Sequence, residues 1–265
     1  MPILYSALVP HSPLLIPTIG KDAHALLRGT SDALDSVKKT LEEKRIETVV
    51  LLTTSDEHRK HGSLFRIMLP QSYAADFAEF GDLITTWSAP SDTVLGTEIK
   101  NDLARARIKT NFKSDPNLDY TAGVPLALLV KSGTMNAVVI RPAETDNRSL
   151  FRAGTVIHAA LQRSAKRIAC IASGDLAHCG EKKASHEHYA KTCLPFDYLF
   201  LDALKKKHSE SLLSFNYADS EKLGACALPV SLVLRGILEG MGWQPNTLSY
   251  EAPFGVGYTV TEFVV

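Results

Sequence analysis

Short apolar runs alternate with helical stretches along this chain of 265 residues. The clearest run, residues 48–55 (TVVLLTTS), is rich in β-branched residues, the composition of a strand buried on both faces. A similar run at 3–9 precedes a stretch from about 24 to 45 whose apolar residues recur with the helical period. Such alternation is typical of a parallel sheet covered on both faces. We therefore predict an α/β fold: a single domain over residues 1–265, with a mostly parallel, twisted central sheet and helices on both faces.

The composition excludes several classes of partner. Lys plus Arg and Asp plus Glu both number 29, so nothing indicates a basic surface for nucleic acid or membrane. No apolar stretch reaches the roughly 18 residues of a membrane helix, and MPILYSALVP lacks the features of a signal peptide. No C-x-x-C pair occurs, so we expect neither a structural zinc site nor a disulfide framework, and a cytoplasmic location. The four cysteines are Cys170, Cys179, Cys193 and Cys226.

Three of the predicted strands run into loops that contain histidine. These loops are VPHSP with His11, SDEHRKHG with His58 and His61, and SGDLAHCG with His178. Ligands of parallel α/β sheets bind beyond the carboxyl ends of the strands, so we expect these loops to gather at one edge. Prolines on both sides of His11 stiffen its loop, which suits a side chain that needs a fixed direction.

Each histidine also has a structural interpretation. His11 would serve equally well as a loop residue bonded to the backbone. His58 and His61 have the spacing of a shared metal site, but their loop is highly charged and suits a solvated surface. Histidine side chains titrate near neutrality, so His178 suits general acid–base chemistry, and Asp175 would orient a histidine or cap the next segment.

Four segments resemble the LigB-type superfamily of class III extradiol ring-cleavage dioxygenases, to which the Memo-like proteins are related. The segments are LVPHSPLLIP, TVVLLTTSDEH, IACIASGDLAH and SYEAPFGVGYTV, and together they span nearly the whole chain. The resemblance implies an Fe(II) ion held by two histidines and one glutamate, with open positions for a catecholate and O₂. A further histidine acts as acid and base during ring cleavage in the breakdown of aromatic compounds.

Mapped onto this chain, the resemblance assigns a role to each candidate residue. His11 matches the first metal ligand, and His58 or His61 supplies the second, with His58 preferred because it lies nearer the strand. His178 matches the catalytic acid and base, with Asp175 beside it. The residues that would form the substrate pocket are Ser12, Ser173, Tyr120 and Glu251.

The chain departs from the family pattern at three places. The family's second histidine usually follows its strand at once, as in S-P-H, where residues 53–55 of this chain read TTS. The segment that carries the ligand glutamate reads LGACALPV here, which contains no carboxylate. The family often has D-H-G where this chain has Asp119, Tyr120 and Thr121. Two neutral histidines alone would hold iron weakly, so a third ligand such as Glu251 would have to come from elsewhere.

Three hypotheses follow from these observations. The first is a dioxygenase with a rearranged site that takes a small aromatic substrate and O₂, with Fe(II) as metal and zinc or no metal as alternatives. The second is a catalytically inactive family member that acts as a partner or binding subunit, in a homo-oligomer or in a hetero-oligomer with a sister chain. The third is a hydrolase, with or without zinc, that pairs His178 with a Cys179 thiol; a small buried cysteine is the alternative role for Cys179.

Overall fold

A computed structural model describes residues 2–54, 65–142, 145–179, 186–206 and 208–264, with only the backbone of 186–190. In these residues eight strands form one mixed sheet in the order β6-β3-β7-β2-β8-β1-β10-β9, and β4 and β5 form a separate hairpin. The strands are β1 Ile3–Val9, β2 Thr48–Thr53, β3 Phe65–Met68, β4 Ser72–Phe77, β5 Asp82–Pro90, β6 Thr110–Lys113, β7 Asn136–Arg141, β8 Ile168–Ser173, β9 Gln244–Glu251 and β10 Tyr258–Val264.

The four central strands β7, β2, β8 and β1 are mutually parallel, and antiparallel pairs occur only towards the edges, at β3–β7, β1–β10 and β10–β9. Helices lie along both faces of this sheet. The helices are α1 Pro17–Gly20, α2 Arg28–Glu43, α3 Thr93–Arg105, α4 Tyr120–Leu129, α5 Asn147–Gln162, α6 His186–Lys205, α7 Glu210–Leu213, α8 Tyr217–Lys222 and α9 Ala227–Ile237. The predicted single α/β domain with a mostly parallel sheet is confirmed.

Alternate residues of the central strands belong to two separate hydrophobic cores, one on each face of the sheet. Val50 and Leu52 of β2 pack with apolar residues of α3, α5 and α9 on one face. Val49 and Leu51 point the other way and pack with residues of α2, α4 and the β4–β5 hairpin. Because both faces of β2 are covered, the strand needs the continuous apolar run seen in the sequence.

The structure adds elements that the sequence analysis did not predict. Strand β4 alternates exposed and buried residues and is built largely from small or polar side chains, so it lacks the apolar run that marked the central strands. Strand β6 is only partly buried at the sheet edge. In the parts of the chain that the structure describes, no helix combines the length and apolar character needed to cross a bilayer.

The expectation that the chain has no disulfide framework is wrong for one pair of cysteines. Cys179, after β8, is joined by a disulfide to Cys193 of α6, and their Cα atoms lie 6.1 Å apart. That separation is within the usual range for a disulfide. The sequence could not indicate this pair, because it depends on α6 packing back against the loop that follows β8.

Candidate functional site

Four parallel strands end at the same edge of the sheet and bring the candidate residues together. His11 lies past the end of β1 and Asp175 past the end of β8. Beside them, Thr54 follows the end of β2 and Arg141 ends β7. All four residues are buried. This is the edge at which parallel α/β sheets bind ligands, as the histidine-containing loops predicted.

The ring of His11 is held in one orientation by its hydrogen bonds. Its Nδ1 lies 3.2 Å from Oγ of Ser173, and that hydroxyl donates to the carbonyl of Thr121 at 3.0 Å. The Ser173 oxygen is then free to accept the Nδ1 proton, which leaves Nε2 as the nitrogen that faces the site. Nε2 lies 3.5 Å from Sγ of Cys226 and 3.6 Å from Oδ2 of Asp175.

The surroundings of His11 favour its charged form. Burial of the ring opposes the positive charge, but the nearby Asp175 and the sulfur of Cys226 outweigh burial and raise the pKa of His11 to about 9. Asp175 also accepts the backbone N–H of His11 at 3.0 Å through Oδ1. The loop and the ring are therefore both tied to one carboxylate.

We expect the raised pKa of His11 to make the stability of the metal-free protein depend on pH. The folded state holds its proton more tightly than the unfolded chain, so the contribution is full below about pH 6.5 and is lost as the pH rises through about 9. The shift corresponds to about 3 kcal/mol of unfolding free energy. In urea titrations from pH 6 to 10, the stability difference between wild type and His11→Asn should shrink by that amount. His24→Gln serves as control, and parallel pH profiles for wild type and His11→Asn would contradict the expectation.

Asp175 also lies next to the second candidate histidine. Its Oδ2 is 3.8 Å from Nε2 of His178. The side chain of Asp175 is 5% exposed whereas that of His178 is 41% exposed, so the histidine lies at the mouth of the site and the carboxylate below it. The backbone N–H of His178 donates to the carbonyl of Leu223 at 2.6 Å, which fixes the loop against the segment that precedes α9. This arrangement suits proton exchange between His178 and a ligand.

Cys226 is the site residue that the sequence analysis did not identify. Its Sγ accepts the backbone N–H of Asp175 at 3.1 Å, in addition to its approach to His11. The residue lies within LGACALPV, the segment in which the family carries its glutamate. A thiolate, like a carboxylate, is an anionic metal ligand, so a search for ligands other than carboxylates in that segment would have found it.

The donor atoms at this edge fit a transition metal in part. An imidazole nitrogen and a thiol sulfur converge, a pair that suits zinc, iron or copper better than magnesium or calcium. Over the described residues, no group of three or more His, Cys, Asp or Glu side chains is arranged to hold a metal ion. His58 and His61 lie outside the described residues, and their assignment as ligands stays a prediction.

Tyr120 and Ser12 lie beside His11, and their role as pocket residues stays a prediction. The ring of Tyr120 packs edge-on against that of His11, with 5.8 Å between the ring centroids. Ser12 is buried and shares a hydrogen bond with Tyr258. Burial, together with the charge of Asp175, raises the pKa of Tyr258 to about 12, so its hydroxyl stays protonated.

The structure does not bring Glu251 to His11. One of its carboxylate oxygens accepts the N–H and the hydroxyl of Thr30 at 2.8 and 2.6 Å, and the other accepts the N–H of Gly29 at 3.1 Å. Glu251 therefore caps the amino-terminal end of α2, where a carboxylate is favoured. This placement corrects the expectation that Glu251 serves as a third ligand or a pocket residue.

The hydrolase hypothesis also needs correction. It required a free thiol on Cys179, but that sulfur is bonded to Cys193. A disulfide sulfur carries no thiolate, which is the form that acts as a nucleophile.

An ion pair between the buried Arg141 and the partly exposed Asp119 supports the site. Arg141 donates to Oδ2 of Asp119 at 3.0 Å and to the carbonyl of Thr54 at 3.2 Å. Asp119 in turn caps α4 by accepting the N–H of Thr121 through Oδ1 at 3.1 Å. The carbonyl of Thr121 accepts the hydroxyl of Ser173, so the network extends to the residue that orients His11.

Comparison with known proteins adds family information. A family model for the catalytic LigB subunit of aromatic ring-opening dioxygenase matches residues 5–261. Protein CA_C1420 of Clostridium acetobutylicum is 26% identical over an alignment of 271 residues, which covers 96% of this chain and 56% of that protein. The chain thus spans little more than half the length of this curated relative. The crystal structure of uncharacterized protein JW3007 from Escherichia coli K12 is 14% identical, with a TM-score of 0.58 over 98% of this chain and 99% of that one, and it shows the same fold.

Proposed function

The chain belongs to the LigB family of aromatic ring-opening dioxygenases, and from this premise we propose that it is a metal-dependent dioxygenase for a catechol-type ring. We propose Fe(II) as the metal, held by Nε2 of His11 and Sγ of Cys226. The observation that carries the proposal is the 3.5 Å approach of these two atoms at the buried edge of the sheet. The sulfur would supply the anionic charge that the family's glutamate supplies elsewhere.

The residues around the metal position have separable roles in this proposal. A bound Fe(II) would supply open positions for the two oxygens of a catecholate and for O₂. Ser173 keeps the Nδ1 proton of His11 in place, so that Nε2 faces the site. His178, at the mouth, accepts a hydroxyl proton of the catechol on its Nε2, and Asp175 stabilises the resulting imidazolium.

The first test measures metal binding. We expect anaerobic incubation with Fe(II) followed by desalting to leave about one metal ion per chain in wild type, and less than about one tenth of that in His11→Ala. Cys226→Ala should weaken binding at least about tenfold, since loss of a ligand costs no less than loss of a supporting residue. Cys170→Ala is the matched control because it removes the other buried free thiol, which lies within β8. Equal metal content in the Cys226→Ala and Cys170→Ala variants would contradict the assignment of the sulfur.

The second test measures ring cleavage. We expect the iron-loaded protein to consume O₂ in the presence of a catechol, and His178→Ala to lower kcat by about 10²–10⁴-fold, the usual contribution of a general acid–base group. Iron binding without O₂ consumption across a panel of catechols would exclude the dioxygenase. It would favour the alternative that the chain is an inactive partner subunit.

A further inference from the structure

The loop that carries His178 forms a short ladder of backbone hydrogen bonds with the glycine-rich segment 255–257. The N–H of Leu176 donates to the carbonyl of Gly257 at 2.8 Å, and the N–H of Gly257 donates to the carbonyl of Ala177 at 3.1 Å. The N–H of Cys179 donates to the carbonyl of Gly255 at 2.7 Å. These bonds define the backbone path of the loop, and the bond from the N–H of His178 to Leu223 ties it to the segment before α9. Helix α6 adds contacts of its own.

Helix α6 contacts the residues on both sides of His178. Oδ1 of Asp197 accepts the N–H of Ala177 at 2.9 Å, and Cys193 forms the disulfide with Cys179. Asp197 and Cys193 are four residues apart, so they lie on the same face of the helix one turn from each other. Both side chains are fully buried. One helix face therefore holds the residue before His178 and the residue after it.

The carboxylate of Asp197 is fixed by more than this one contact. Its Oδ2 accepts the hydroxyl of Tyr250 in β9 at 2.8 Å. A Cβ atom on residue 257 would lie only 2.2 Å from the same oxygen, so only glycine leaves room for it. Gly257 therefore marks a close approach of the backbone to this carboxylate. The space for Asp197 is built jointly by α6, β9 and the ladder.

We propose that Asp197 is a positioning residue for His178, with the Cys179–Cys193 disulfide as a second anchor on the same helix face. The carboxylate fixes the amide of Ala177, which sets where the next side chain leaves the backbone. The sulfur bridge then fixes the residue that follows. In this way α6 determines the placement of His178 above Asp175. The catalytic meaning of this placement rests on the function proposed above, but the placement itself is measurable in metal-free protein.

The test compares loop order in variants of the metal-free chain. We expect Asp197→Ala to speed amide hydrogen exchange of Ala177 at least about tenfold and to broaden or split the imidazole NMR signal of His178. Asp197→Asn keeps an oxygen acceptor and should stay close to wild type. Asp202→Ala is the matched control on the same helix, since Asp202 bonds only to Lys206 one turn away among its described ion pairs. Unchanged Ala177 exchange and an unchanged His178 signal in folded Asp197→Ala would overturn the proposal.

A second variant guards against a failure to fold. Tyr250→Phe removes only the hydroxyl that donates to Oδ2 of Asp197, so it loosens the carboxylate without removing it. We expect Ala177 exchange in this variant to lie between wild type and Asp197→Ala, and exchange equal to wild type would count against the proposal. In iron-loaded enzyme, Asp197→Ala should lower kcat more than it raises KM. If no catechol is cleaved but the exchange results hold, the positioning role stands and the proposed function fails.

The disulfide anchor has its own test. Dithiothreitol reduces the Cys179–Cys193 bond to two thiols by giving up two electrons and two protons, and itself becomes a cyclic disulfide. We expect two alkylation labels on the denatured, unreduced protein and four after reduction, because the chain has four cysteines. Reduction should speed amide exchange at Cys179 while Ala177 stays protected by Asp197. Four labels without reductant would remove the disulfide from the proposal.

Discussion

Replacing Asp119 with alanine is expected to lower the free energy of unfolding by about 3–4 kcal/mol, because it leaves a buried cation without its charge partner. The guanidinium of Arg141 is 4% exposed, and its charge partner is the carboxylate of Asp119 at 3.0 Å. The same substitution also removes the cap of α4. We place the loss towards the lower end of the range for broken buried pairs because Asp119 itself is 37% exposed. Urea unfolding followed by circular dichroism measures the change.

The partner variant separates this explanation from a general sensitivity of the site. Arg141→Met keeps most of the side-chain volume and leaves Asp119 able to reach water, so we expect a smaller loss of about 1–2 kcal/mol from the missing hydrogen bonds. The double variant Asp119→Ala with Arg141→Met should be more stable than Asp119→Ala alone, because no buried charge remains. If Arg141→Met lowers the free energy of unfolding as much as Asp119→Ala does, the unpaired charge of Arg141 is not the cause of the loss.

Substitution of Gly236 by valine should cost about 3 kcal/mol or more, since the added atoms meet backbone that cannot easily move. Gly236 of α9 crosses Gly154 of α5 on one face of the sheet. A Cβ on residue 236 would lie 2.0 Å from the carbonyl oxygen of Phe151 and 2.9 Å from the Cα of Gly154. The two helices would have to separate, which opens the core that they share with the central strands. In a chain of this size the melting temperature should fall by roughly 6–12 °C.

Gly242 provides the matched control for this substitution. No heavy atom lies within 4 Å of a Cβ built at that position, and its φ is not in the left-handed region. Gly242→Val should therefore change the free energy of unfolding by less than about 0.5 kcal/mol. Comparable losses in Gly236→Val and Gly242→Val would show that the crossing of α5 and α9 tolerates side chains.

The central part of the fold was predictable because each of its strands is buried on both faces. The runs that became β1, β2, β7 and β8 are mainly apolar, with most of their polar side chains at the strand ends, and their order with helices between them implied a parallel sheet. The hairpin strand β4 and the edge strand β6 were missed because they are partly exposed and contain residues with weak strand preference.

The candidate site was predictable where loops follow parallel strands directly. His11, Asp175 and His178 all come from such loops, and the structure brings them together. Cys226 reaches the site from the start of a helix, and Asp197 acts from the middle of another, so their contribution depends on how helices pack on the sheet. Glu251 is the opposite case. Its carboxylate lies within a family motif in the sequence, but in the structure it caps the amino-terminal end of α2 and does not reach the site.

The position of β1 in the sheet has a consequence for the synthesis of the chain. Ser6 pairs with Cys170 on one side and with Phe263 on the other, so both neighbours of β1 are translated long after it. At about 5–20 residues per second, the ribosome needs on the order of ten seconds or more to produce β10 after β1 has been made. During that interval β1 is an apolar segment with two unpaired edges, a target for chaperones and for aggregation. His11 lies two residues after the end of β1 and meets Asp175 and Cys226 only late in translation, so truncated chains that end before β8 would carry the first histidine but no site.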